Sequence, residues 1–196
     1  VYMKKYYTVM QGNAVSFFIQ SNGEEIDSAF VNDLTKISLS QEAIQRHHDM
    51  KIVYTPIHGT GVKLIPRALA AFGFTNIIHV PEQDVVSGDF PTVVSPNPEE
   101  PAALSMAVEK AKETDAELVL ASDPDADRVG AAVKNNEGEW VLLNGNQTAL
   151  MFVYYLITRW KELGKIQGKE YIVKTIVTTE TIKTIADRNG VGFYDV

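Results

Sequence analysis

Lys51-Ile52-Val53-Tyr54-Thr55-Pro56-Ile57-His58-Gly59-Thr60-Gly61 carries the reading of the fold. Ile52, Val53 and Tyr54 form the short continuous apolar run that a buried strand requires. Pro56 to Gly61 interrupts it as a loop, and Val62 to Phe72 follows helical spacing until Gly73 closes it. The alternation then repeats. Ile77-Ile78-His79-Val80 reads as a strand, 82–101 as a polar, proline-rich passage, and 101 to about 114 as a helix. Pro101 suits a first-turn position, where its missing N–H would have no intrahelical partner anyway. Glu117 to Ala121 and Val129 to Val133 are further strands, followed by a turn at Asn136-Glu137-Gly138. This order predicts an α/β fold with a mixed, mostly parallel sheet flanked by helices.

A second α/β unit begins near Leu143. Asn146 or Thr148 is positioned to cap a long helix running to about Leu163, with Tyr171 to Thr178 as a strand, Thr181 to Asn189 as a helix and Val191 to Val196 as a strand. The run Lys51-Ile52-Val53-Tyr54-Thr55, with its loop, helix, Gly73 and strand, resembles Tyr171-Ile172-Val173-Lys174-Thr175 with its loop, helix, Gly190 and strand. Two copies of one unit, the second truncated, is the simplest account; chance recurrence of a common pattern is the other. Residues 1–50 say less: Val15 to Ile19 reads as a strand, Ser21-Asn22-Gly23 as a turn, 24–37 as a helix, and Ser40 opens a second short one. They are read as connecting material from a neighbouring domain. Val1 at the start and the strand-like run stopping at Val196 are read as cuts, so a piece of a longer protein is expected.

Composition narrows the function. The 196 residues are 45% hydrophobic, ample for a core, and the net charge of −7 argues against nucleic acid or an anionic membrane as partner. The absence of cysteine excludes disulfides and Cys-ligated zinc and accords with a cytoplasmic setting. No apolar run approaches the roughly 18 residues of a membrane span, and no signal segment opens the chain.

The chemistry concentrates in Asp123-Pro124-Asp125-Ala126-Asp127-Arg128, directly after the apolar run Leu118 to Ala121. Carboxylates at alternate positions of extended backbone project to one side. Their repulsion would be costly unless a cation sat among them. Ligands gather beyond the carboxyl ends of strands in open parallel sheets, and Mg²⁺ prefers carboxylate oxygens while leaving positions for substrate phosphate. Such an ion neutralises phosphoryl oxygens and orients transfer; Arg128 could steer the phosphate or pair with a carboxylate. An EF-hand fails, because its sixth and twelfth positions are Arg128 and Lys134 rather than Gly and Glu. A haloacid-dehalogenase-type phosphatase using Asp123 as nucleophile is weakened by Asp127, where Thr or Val is usual. A solvated acidic turn is the remaining reading.

Other constellations carry less. Thr55 to Gly61 lacks a Walker ending and a full GxGxxG, so its glycines serve either an anion at the helix N-terminus or a tight strand-to-helix turn. His58 either contacts substrate or acts as a hydrogen-bonding prop. Val94 to Glu100 is rigid, extended and read as structural; Ser95 has no adjacent base. His47 and His48 diverge on a helix. Met151, Phe152, Tyr154, Tyr155 and Trp160 read as core and interface residues.

Taken in order, Tyr54 to Gly61, Phe90 to Glu99 with its Pro96-Asn97-Pro98-Glu99, Asp123 to Arg128 and Leu143-Asn144-Gly145-Asn146-Gln147 resemble the α-D-phosphohexomutases. The likeness is to the phosphoglucomutase/phosphomannomutase group, in its phosphoglucomutase-2 and phosphopentomutase-like branch, and covers about residues 40–196. It implies a four-domain, cytoplasmic mutase that moves a phosphoryl group between C1 and C6 of a hexose phosphate, glucose foremost, through a phosphoserine and a bisphosphorylated intermediate. Residues 1–49 would end the first domain, 50–140 form the metal-binding second, and 141–196 begin the sugar-binding third. Asp123, Asp125 and Asp127 would bind Mg²⁺, with Arg128, His58, Gly59 and Gly61 near phosphate or substrate. The partners implied are sugar phosphates and the remaining domains of the same protein. The family's Ser-His-Asn-Pro nucleophile loop, Gly-Glu-x-Ser-Gly sugar loop and Arg-x-Ser-Gly-Thr phosphate loop are absent. No catalytic residue is therefore assigned, and this stretch alone is expected to be inactive. The alternatives are a stand-alone metal-dependent phosphatase using Asp123, or a non-catalytic α/β module.

Overall fold

The computed structural model describes the backbone of residues 6–11 and 14–19 and all of residues 23–196. Ser21 and Asn22 of the expected turn lie outside it. Strand β2 (Ala14–Ile19) occupies the expected position and pairs antiparallel with β1 (Tyr6–Gln11), which local pattern did not single out.

The five-stranded sheet has the order β4-β3-β5-β6-β7, from β3 (Lys51–Thr55), β4 (Asn76–His79), β5 (Leu118–Ser122), β6 (Val129–Lys134) and β7 (Trp140–Leu143). β3 pairs parallel with both β4 and β5, whereas β6 is antiparallel to β5 and to β7. Four of the five strands thus share one direction, with β6 reversed by the tight connection after β5 and the turn at 135–138. The mixed, mostly parallel sheet expected from the alternation is present. β7 carries no sequence signal of its own, because Trp140 to Leu143 is a short edge run.

Helix α3 (Gly61–Phe72) crosses from β3 to β4, and α4 (Pro101–Thr114) lies against β3 and β5. Ala103, Leu104, Ala107 and Ala111 are buried along α4, at the spacing of one helix face. Three alanines there allow close approach to Val53, Val119 and Ala121 of the sheet. Earlier in the chain, α1 (Gly23–Thr35) packs on α3, where Arg67 reaches Glu24 at 2.6 Å and Ser28 at 2.7 Å. The short α2 (Gln41–Arg46) ends before Asp49, and His48 accepts from the Thr75 N–H at 2.8 Å.

The second unit contains α5 (Gly145–Glu162), β8 (Tyr171–Lys174), α6 (Thr181–Asn189) and β9 (Gly192–Asp195), with β8 and β9 parallel. Its core joins Ile157, Ala186 and Val191. The likeness between the β3–α3–β4 and β8–α6–β9 segments is therefore architectural: both are parallel strand pairs joined by a helix closed on glycine, Gly73 or Gly190. Two local expectations are corrected. α5 is capped by Asn144, not Asn146 or Thr148: Asn144 Oδ1 accepts from Gln147 N at 3.0 Å while Gln147 Oε1 accepts from Asn144 N at 2.9 Å. This reciprocal pair satisfies two donors at once, and it leaves Asn146 to accept from Thr179 N at 2.9 Å. β8 stops at Lys174 rather than Thr178, because the following residues turn, with Thr178 N donating to Thr175 O at 3.0 Å. No helix among the described residues is long and apolar enough to cross a membrane.

Candidate metal centre

The pairing of β3 with β5 aligns Thr55 with Ala121, so both strands end at the same edge of the sheet. The loops that leave them, 56–60 and 123–128, are forced side by side. Contact follows directly: Thr60 donates to Pro124 O through its N–H at 2.9 Å and its hydroxyl at 3.1 Å. Beneath them, Tyr54 Oη and Ser122 Oγ share a hydrogen bond of 2.8 Å.

The acidic loop folds around Asp123. Its backbone carbonyl accepts from Ala126 N at 3.0 Å, in a turn that puts Ala126 at φ 60°. The residue is 1% exposed, and Oδ1 accepts from Asp127 N at 3.1 Å and Arg128 N at 3.0 Å. Oδ2 accepts from Arg128 Nε at 2.7 Å, which leaves that oxygen a second lone-pair direction. Burial alone would raise the Asp123 carboxyl; the Arg128 guanidinium and the loop N–H groups outweigh it and hold the group below the usual carboxylate range. Asp127 is displaced upward, first by its hydrogen-bonding proximity to Asp123 and then by the charges of Asp125 and Asp123. Asp123 holds the Arg128 guanidinium above its ordinary value.

Asp125 and Asp127 are exposed beside this anchored residue. One carboxylate oxygen from each of the three aspartates lies within 4.8 Å of the others, the one such cluster among the described residues. Three hard oxygen donors on a backbone-fixed loop, with one anchored and two free to adjust, suit a divalent cation such as Mg²⁺.

The glycine-bearing loop makes a tight strand-to-helix turn, one of the two roles its composition allows, with Gly59 N donating to Pro56 O at 2.9 Å. Positive φ falls on Ile57 (46°) and His58 (63°), not on Gly59 or Gly61. Two consecutive left-handed non-glycine residues cost of order 1 kcal/mol each. Burial of Ile57 in the core and the bond from Ile57 N to Thr55 Oγ1, 3.1 Å, offset that cost. The glycines are needed for close approach by the protein itself. A Cβ on Gly59 would stand 2.5 Å from Pro124 Cα, and one on Gly61 would meet Tyr54, Ile65 and Ser122.

His58 is buried at 1% exposure, with Nδ1 2.8 Å from Val85 O and Nε2 2.8 Å from Thr92 Oγ1. A carbonyl only accepts, so Nδ1 carries the proton and Nε2 accepts from the Thr92 hydroxyl. Gln83, fully buried, completes the network: Oε1 accepts from Thr55 Oγ1 at 2.6 Å and Nε2 donates to Thr92 Oγ1 at 3.2 Å. Both ring nitrogens of His58 are thus engaged with protein groups. Nothing local marks Gln83 and Thr92 within their polar passage, so their role is set by tertiary contact alone.

Asn97 approaches Arg128, with Nη1 3.5 Å from its Oδ1, and accepts from Glu99 N at 3.1 Å. The proline-rich segment therefore runs past the acidic loop. Ser95 donates to Glu100 Oε1 at 3.1 Å, in keeping with a structural segment.

Residues 28–138 match the family described as phosphoglucomutase/phosphomannomutase, alpha/beta/alpha domain II. A "probable phosphoribomutase" of Schizosaccharomyces pombe is 41% identical over 142 residues, covering 72% of this chain and 24% of that protein. Human phosphopentomutase is 34% identical over 172 residues, covering 86% of this chain and 28% of that protein. This chain therefore spans about a quarter of the length of these curated relatives. The fold matches a phosphoglucomutase/phosphomannomutase family protein from Burkholderia thailandensis with a TM-score of 0.66 at 20% identity, covering 87% of this chain and 32% of that one.

Proposed function

The chain belongs to the phosphoglucomutase/phosphomannomutase family, and from that premise we propose that it supplies the metal-binding domain of a cytoplasmic sugar-phosphate mutase. The domain assignment that goes with this reading is 1–49 as the end of a first domain, 50–140 as the metal-binding domain and 141–196 as the start of the sugar-binding one. The whole protein would exchange a phosphoryl group between hexose 1-phosphate and hexose 6-phosphate by way of a phosphoserine and a bisphosphate. Glucose is the sugar of first choice. The names of the relatives also favour pentose phosphates as a second reading.

The observation that carries the proposal is the convergence of Asp123, Asp125 and Asp127 within 4.8 Å at the carboxyl edge of the sheet. These three residues would hold Mg²⁺, which supplies neutralisation of phosphoryl oxygens when bound. Arg128, half exposed and tethered through Nε to Asp123, keeps Nη2 available to meet a phosphoryl oxygen. Gly59 and Thr60 brace Pro124 from behind, and His58 braces the brace. A phosphatase with Asp123 as nucleophile is disfavoured, because that carboxylate is buried and both its oxygens accept hydrogen bonds. On this reading the catalytic serine belongs to another part of the protein, and these 196 residues alone do not turn over sugar phosphate.

Calorimetric titration with Mg²⁺ tests the site, with Asp125→Asn as the variant; loss of one of three carboxylates should weaken binding at least about tenfold. Unchanged affinity in that variant rejects the metal assignment. Conversion of glucose 1-phosphate to glucose 6-phosphate by this chain alone would overturn the division of labour.

A further inference from the structure

A cleft of about 450 Å³ opens between α2 with its preceding residues and the carboxyl end of α5. That volume suits a small organic molecule rather than a bare ion. Ser38, Ser40, Gln41, Arg46 and Lys165 bring hydroxyl, amide and cationic groups to it.

The walls are held rigidly. Arg159 Nε and Nη2 both donate to Leu39 O, at 3.1 and 2.8 Å, while Nη1 pairs with Glu162. Tyr155 Oη donates to Ser40 Oγ at 2.7 Å. Lys165 is fixed where it leaves α5 by its N–H to Trp160 O, 2.8 Å, with Gly164 in the left-handed conformation beside it. Arg159 is therefore satisfied and structural.

Arg46 and Lys165 are not. Neither side chain makes an ion pair or hydrogen bond among the described residues, in a chain whose net charge is −7. Glu42 also lines the cleft, one turn before Arg46 on α2, yet comes no closer than the 4.0 Å ion-pair limit. Two unneutralised cations from different elements, lining one cleft together with Ser38 and Ser40, present a surface for a compact dianion.

We propose that this cleft binds a small phosphate ester, with its phosphoryl group between Arg46 and Lys165 and its polar body against Ser38 and Gln41. Such a ligand would add to the Tyr155–Ser40 and Arg159–Leu39 bonds that already join the α2 segment to α5. The site is distinct from the Asp123 loop and stands whether or not that loop binds a metal.

The experiment is a titration of this chain with glucose 6-phosphate, and separately with inorganic phosphate, followed by backbone amide NMR at constant ionic strength set by chloride. The expected result is saturable shifts centred on residues 38–46 and 159–165, weakened about tenfold in Arg46→Gln and again in Lys165→Gln. Both side chains are exposed, so the variants keep the fold. Tighter binding of the ester than of phosphate supports an ester as occupant; the reverse ordering overturns the ester and assigns the cleft to free phosphate. Shifts confined to the neighbourhood of Arg128, shifts reproduced by chloride alone, or unchanged affinity in the double variant overturn the site.

Discussion

Gly59→Ala is the most incisive substitution, because its sign alone separates two accounts of the glycine loop. Gly59 does not have a positive φ, so alanine meets no backbone strain there. If the space at its Cα were open, as a loop kept clear for a ligand would leave it, alanine would stabilise the protein by about 0.4–1 kcal/mol through the unfolded chain. The structure instead puts the new Cβ 2.5 Å from Pro124 Cα and 2.8 Å from both Pro124 O and Pro56 O. The nearest contact is about 0.9 Å short of the 3.4 Å at which ordinary contact begins. All three neighbours are backbone, so no side-chain rotation relieves the clash, and the acidic loop must move. Overpacking of this kind costs about 1–3 kcal/mol. Set against the unfolded-state gain, the net expectation is destabilisation of about 1–2 kcal/mol. Urea unfolding followed by Trp140 fluorescence, in a Trp160→Phe background, reports on the sheet that carries the loop. Gly88→Ala is the control, since nothing lies within 4 Å of its Cβ position and its φ is not positive. Gly59→Ala at or above the parent stability would refute the stacking of the two loops.

Asp123→Asn should destabilise the protein at neutral pH by about 1–2 kcal/mol, less than a fully buried charged pair because Arg128 is half exposed. The folded carboxyl lies below its unfolded value, so its contribution is present above the unfolded pKa and lost as pH falls through the folded one. Parent and variant should therefore converge in stability in acid, and a gap that widens there contradicts the pairing. Burial pushes the Tyr54 phenol up to about 12. Its stabilising effect is complete below the unfolded pKa near 10 and lost as pH rises through the folded one, a decline of about 3 kcal/mol. Tyr54→Phe should remove that part of the alkaline slope, read by denaturant titration at each pH. Asn144→Ala removes the side-chain acceptor for the Gln147 N–H while leaving the Asn144 N–H to Gln147 Oε1, and should cost about 1 kcal/mol, visible as faster hydrogen exchange in the first turns of α5; unaltered exchange would mean that another residue caps the helix.

Much of the frame was legible from local pattern. The apolar run Ile52 to Tyr54, the glycine at 73 and the proline at 101 mark elements that backbone sterics and burial allow in few other ways. The same holds for the acidic loop, since carboxylates two apart after a strand are close wherever that strand lies. Short edge strand β7 and the competition among Asn144, Asn146 and Thr148 for one cap were not legible, because each depends on which partner is within reach.

By itself, the sequence determined the α/β alternation and the three converging aspartates, because both arise from residues within a few positions of each other. Only the tertiary structure decided what supports them. Pairing β3 with β5 brings Gly59 against Pro124, and it is this contact, not room for a ligand, that requires glycine. The left-handed turn falls on Ile57, held by its burial and by Thr55, and on His58, held by Gln83 and Thr92 from a passage with no periodic signal. The physical reason is range. Periodicity reports which face of an element is buried, whereas steric fit and hydrogen-bond partnership between distant loops depend on strand register, which no local spacing encodes.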